Sequence, residues 1–189
     1  MYNHDYLATH DLDCFFVING NRTHIATNGG IVHPKIGTVE ELRAMQTQVA
    51  NMEVTHDFFL NRGFLSLLEV SDFPSQEDLM RVDLDDRRLF ERDLFEGTEY
   101  ADLPFHQKLY CSSFVEMARK GFWSFDRVGT MPDGTDTYML IAWPKGDKVS
   151  DGIEVGHKFT LAGFNDYGCH CGFSDCWPVM EMIRKAERS

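Results

Sequence analysis

Cys14-Phe15-Phe16-Val17-Ile18-Asn19-Gly20-Asn21-Arg22-Thr23-His24-Ile25-Ala26-Thr27 is the stretch whose reading decides the fold. Asn-Gly between two strand-forming runs is the strongest short hairpin signal, because both positions of a two-residue turn accept positive φ. Such a turn sets Ile18 opposite Asn21, Phe16 opposite Thr23 and Cys14 opposite Ile25, so these side chains share one side of a sheet. Asn28-Gly29-Gly30 then ends the second strand.

Working outward, Thr38 and Glu41 form a capping box, and Val39, Leu42, Met45, Val49 and Met52 recur at helical spacing as one apolar stripe. Phe58-Phe59-Leu60 and Phe64 to Leu68 are apolar runs too short for periodicity to type. From Asp72 to Asp102, eleven acidic residues stand against four arginines. Pro74-Ser75-Gln76-Glu77-Asp78 reads as a helix start there, Leu89, Phe90, Leu94 and Phe95 as an apolar helix face, and Gly97 as a stop. A further helix is expected from about Pro104 to Lys120, with Leu109, Tyr110, Phe114, Met117 and Ala118 inward and Gly121 ending it.

Phe122 to Val128 and Thr137 to Trp143 are aromatic and β-branched runs joined through Met131-Pro132-Asp133-Gly134, a second hairpin with a longer loop. His157 to Ala162 reads as a strand, and Val179 to Arg188 as a last helix. Hairpins with helices between them predict an α+β fold: a single domain, residues 1–189, with a mostly antiparallel sheet and a C-terminal helix.

Composition narrows the function classes. At 43% hydrophobic and 25% charged, the 189 residues suit a globular core. A net charge of −12 opposes a phosphate backbone, so nucleic acid is not an expected partner. The longest apolar runs, such as Met139 to Trp143, are far shorter than the ~20 residues of a membrane span. Met1 to Tyr6 carries neither a basic segment nor an apolar run, so no secretory signal is expected. Five irregularly spaced cysteines fit a reducing cytoplasm better than a disulfide framework, and Asn21-Arg22-Thr23 is then a chance match to a glycosylation acceptor.

The densest chemistry is Cys169-His170-Cys171-Gly172-Phe173-Ser174-Asp175-Cys176. In extended chain Cys169 and Cys171 point the same way, and Cys176 falls in the first turn of the last helix, where a thiolate is favoured. Zinc requires a fourth ligand, for which His157 is the nearest histidine outside the cluster. No second Cys-x-x-Cys pair exists, so thiols packed under the last helix are the simpler reading and no cofactor is required. His4-Asp5, His10-Asp11, His56-Asp57 and Asp13 are candidate metal ligands only if folding makes them converge. Cys111 and His106 lie on different sides of their helix, and Gly29-Gly30 lacks the context of a phosphate cradle.

Acidic surface without a complete catalytic set points to a non-enzymatic binding or regulatory protein, its partner a basic protein met by the segment from Asp72 to Asp102. The alternative is a thiol-dependent or metal-dependent enzyme built on the cysteine cluster or on the N-terminal His/Asp group.

Overall fold

The computed structural model of the chain describes residues 11–18, 20–27, 38–61, 94–130, 136–146 and 157–159. Its hairpin forms as the Asn-Gly signal requires. Strands β1 (Asp13–Ile18) and β2 (Asn21–Ala26) pair antiparallel with Cys14 opposite Ile25, Phe16 opposite Thr23 and Ile18 opposite Asn21. Gly20 turns between them at φ +83°.

Helix α1 (Val39–Ala50) starts on a complete capping box. Thr38 Oγ1 accepts from the Glu41 amide at 3.2 Å, and Glu41 Oε2 accepts from the Thr38 amide at 2.6 Å, satisfying two donors that a helix start leaves open. Leu42 and Val49 are buried, while Met45 and Met52 pack at the margin against Phe15 and Phe122.

The untyped run at Phe58 becomes strand β3 (Phe58–Asn61), which pairs antiparallel with β4 (Leu94–Glu96). Here the sequence reading is corrected. Leu94 and Phe95 lie in a strand and not on a helix face, and Gly97 opens a 3-10 helix (Gly97–Asp102) instead of stopping an α-helix.

Helix α2 (Phe105–Arg119) follows, with Pro104 one position before its first turn and Gly121 at φ +88° just past its end. Its buried side is Gln107, Cys111, Phe114, Val115 and Ala118, whereas Leu109, expected inward, is 55% exposed. At 100° per residue Leu109 lies about 200° round from Cys111, so the two cannot share a face.

The second predicted hairpin is β5 (Trp123–Thr130) with β6 (Asp136–Pro144), antiparallel with irregular register after Ser124 and again after Arg127. Strand β7 (His157–Phe159) closes one edge. The sheet runs β4-β3-β6-β5-β2-β1-β7. It is mixed: β2 pairs parallel with β5 and β1 parallel with β7, two pairings that no hairpin signal announces. A mixed sheet with helices inserted between its strands is an α+β fold.

Among the described residues both helices pack on one face. Phe114, Val115 and Ala118 meet Ala26, Leu60, Met139 and Ile141 in one apolar cluster, and Val49 meets Phe15 and Phe122 in another. The reverse face is buried as well, through Phe16, Thr23, Trp123, Phe125 and Leu140. The runs Phe64 to Leu68 and Asp72 to Asp93, and the helix from Val179 to Arg188, lie outside the described residues. No helix of the described residues is long and apolar enough to cross a membrane.

Candidate functional site

The predicted cysteine site cannot be placed: Cys169, Cys171 and Cys176 lie outside the described residues, as do His4, Asp5 and His10. His157 begins β7, beside Phe16 of β1. His56 and Asp57 precede β3, where the His56 imidazole packs against Gly121 and bonds Thr55 Oγ1 at 2.9 Å. Among the described residues no three His, Cys, Asp or Glu side chains form a group that could hold a metal ion.

What the fold does assemble is a hydrogen-bonded chain of Asp13, His24 and Ser124. The hairpin register puts Phe15 opposite His24, which leaves Asp13 diagonal to it on the same face. The parallel β2–β5 pairing then sets His24 directly beside Ser124. His24 Nε2 lies 2.9 Å from Asp13 Oδ1, and Nδ1 lies 2.7 Å from Ser124 Oγ. The His24 bond holds the Asp13 carboxyl below its ordinary pKa, against burial, which pushes the other way. An ionised Asp13 can only accept, so Nε2 carries a proton and the ring orientation is set. Phe15 lies with its ring centroid 5.4 Å from that of His24, and Phe114 of α2 at 6.1 Å.

A second polar pair sits one step along the same face. Asp126 neighbours Ala26, which is opposite Asp13, and the Tyr110 hydroxyl of α2 donates to Asp126 Oδ2. Burial raises the Asp126 carboxyl to about 6, with a further push from the charge of Asp11. Burial and the Asp126 charge together drive the Tyr110 phenol far above its ordinary value. Cys111, fully buried beside it, is pushed up to about 12. It is a protonated packing thiol and no nucleophile at neutral pH, as its sequence context implied.

Ser, His and Asp in hydrogen-bonded series invite comparison with an acyl-transfer triad, but the exposure runs backwards. A triad presents its hydroxyl to the substrate and keeps its carboxylate behind the ring. Here Ser124 is 0% exposed and His24 1%, while the Asp13 side chain is 54% exposed. The hydroxyl therefore has no approach for a substrate, and the open end of the chain is an anion.

Reasoning from sequence missed His24, Ser124 and Asp126. The register of the first hairpin carried the signal for the Asp13–His24 half, since it sets the two diagonally across one face. Nothing local marks Ser124, which lies 100 residues further along the chain. No protein-family model, curated protein or solved structure matches this chain.

Proposed function

We propose that the chain is a non-enzymatic binding or regulatory module with an acidic surface, working in a reducing, cytoplasmic compartment. The observation that carries this reading is the inverted exposure of the Asp13–His24–Ser124 chain. A group arranged to attack a substrate cannot be its most buried member, whereas a buried hydroxyl and imidazole that fix a surface carboxylate suit recognition. The buried thiols Cys14 and Cys111 fit a reducing setting. The same reading takes residues 1–189 as one domain, the C-terminal helix included.

Treatment with a fluorophosphonate probe tests the non-enzymatic part. Native protein should remain unlabelled. Labelling that disappears in a folded Ser124→Ala variant would overturn the proposal and make Ser124 a nucleophile. The competing thiol or metal enzyme at Cys169, Cys171, Cys176 and His157 is separated by elemental analysis and thiol titration. Packed thiols bring no metal and react mainly after denaturation. About one equivalent of zinc, released together with the thiols, would move function to that cluster.

A further inference from the structure

Among the described residues, Met139 is 2% exposed, whereas Met45, Met52 and Met117 are half-buried and meet in one place. They rim the cluster of Phe15, Val49 and Phe122, where α1 rests on β1 and on the residue that follows Gly121. Met45 lies on α1, Met52 two residues past its end, and Met117 in the last turn of α2. Methionine adapts its shape to such a margin, and its thioether is the oxidisable atom of the contact.

The seat of α1 depends on these contacts. The helix has 12 residues, and a helix that short is marginal in water unless packing holds it. Leu42 and Val49 are its buried side chains among those described, so the methionines carry much of the remaining apolar contact. Two hydrogen bonds add to it: Gln46 Nε2 donates to the Asp13 carbonyl at 3.2 Å, and Lys120 Nζ to the Ala50 carbonyl at 3.2 Å. The first of these ends on the residue whose carboxylate holds His24. Phe15 stands between the seam and that imidazole, its ring centroid 5.4 Å from Phe122 and 5.4 Å from His24. A change in how α1 is seated is therefore felt at the Asp13–His24 pair.

We propose that Met45, Met52 and Met117 form a redox-sensitive seam: a peroxide oxidises them and loosens α1 from Phe15 and Phe122, and thiol-driven reduction reseats it. In the forward step the thioether sulfur gives an electron pair to one oxygen of hydrogen peroxide. An S–O bond forms, the O–O bond breaks, and the other oxygen leaves as water with both protons. Sulfur is oxidised by two electrons and the peroxide is reduced. In the return step two thiols become a disulfide, and the sulfoxide oxygen leaves as water. A sulfoxide set among Phe15, Val49 and Phe122 leaves a strong acceptor without a donor, so the helix that carries it gains by turning toward water. The device works within one chain and does not depend on the binding reading.

The test treats the full chain with hydrogen peroxide and then with dithiothreitol, which restores disulfides and sulfenic acids at cysteine but leaves methionine sulfoxide in place. Peptide mass spectrometry should find the added oxygen at Met45, Met52 and Met117 before Met139. Amide hydrogen exchange over Val39–Ala50 should then run at least about tenfold faster, while β5 and β6 keep their protection. Methionine sulfoxide reductases for both epimers should restore the slow exchange. A Met45→Leu, Met52→Leu, Met117→Leu variant keeps the apolar volume and should show no acceleration after the same treatment. If circular dichroism shows that variant unfolded, the three single Leu variants take its place, each expected to lose part of the acceleration. Oxidation at the three methionines with α1 exchange unchanged would sink the seam, as would the same acceleration in the folded Leu variants. Protection lost equally from β5 and β6 would mean oxidative unfolding of the whole sheet in place of a loosened helix. Probe labelling of Ser124 overturns only the non-enzymatic reading and leaves this result to stand by itself.

Discussion

Gly20 and Gly121 adopt nearly the same left-handed backbone, φ +83° and +88°, in different surroundings. A Cβ on Gly20 would meet nothing within 4 Å, whereas one on Gly121 would stand 3.3 Å from His56 Cε1. Gly20→Ala should therefore cost only the conformational strain, about 1 kcal/mol. Gly121→Ala should cost about 2 kcal/mol because His56 must also shift. Urea unfolding measures both, and equal losses would mean that the imidazole gives way freely. Asp126 supplies a pH-dependent prediction. Its folded-state pKa, about 6, lies above the ordinary 3.8, so the native state binds its proton more tightly than the unfolded chain does. That contribution is present below about pH 4 and is lost as pH rises through 6, at most roughly 3 kcal/mol. Asp13 has the opposite sign: its lowered pKa gives stability that is present above the usual carboxylate range and lost in acid. Asp126→Asn keeps an acceptor for Tyr110 and should remove the loss between pH 4 and 6, with a melting temperature at pH 7.5 no lower than that of the unaltered chain. A variant that keeps the full pH dependence would assign that dependence to another group. Both glycines were legible as turn and helix-end signals, but the buried environment of Asp126 was not, because α2 supplies it through Tyr110 from another element.

At the scale of elements, α1 and α2 meet at their C-terminal ends around one ammonium. Lys120 is 3% exposed, and its Nζ donates to the Ala50 carbonyl at the end of α1 at 3.2 Å and to Glu116 Oε1 of α2 at 2.5 Å. A cation there satisfies an open helix-end carbonyl and opposes the negative end of the helix dipole. Lys120→Met keeps most of the buried stem but removes these bonds, and thermal melting should show a loss of about 1–3 kcal/mol. Glu116→Gln should cost less, because its side chain is half exposed. An unchanged melting curve in Lys120→Met would mean that other groups join the two helices. The capping box and stripe made α1 readable from its own residues. α2 was readable in its limits but rotated in its facing: apolar residues occupy two of its sides, and only the sheet selects which is inward. Strand β2 is the opposite case. Asn21, Arg22, Thr23 and His24 are polar yet buried, since β2 lies inside the sheet between β1 and β5. Its polar groups are met at close range: Asn21 Nδ2 donates to the Ile18 carbonyl, and Thr23 Oγ1 to that of Asn21.

For the whole molecule, one sheet joins strands from Asp13 to Phe159, with both helices seated on it. Residues distant in sequence thus share single clusters, and we expect urea and heat to unfold the chain in one cooperative transition. Two separated calorimetric transitions would contradict this and divide the chain into independent units. By itself the sequence determined what depends on near neighbours: the hairpin register around Gly20, the capping box of α1, the limits of α2 and the β5–β6 pair. Each rests on turn geometry, capping or periodicity within a few residues. Only the tertiary structure decided the parallel β2–β5 and β1–β7 pairings, the strand at Leu94–Glu96, the side of α2 left to solvent, and the meeting of Asp13, His24 and Ser124. These depend on which distant strands come to lie side by side. That choice is made by burying the apolar faces of the whole sheet at once, and no local pattern encodes it.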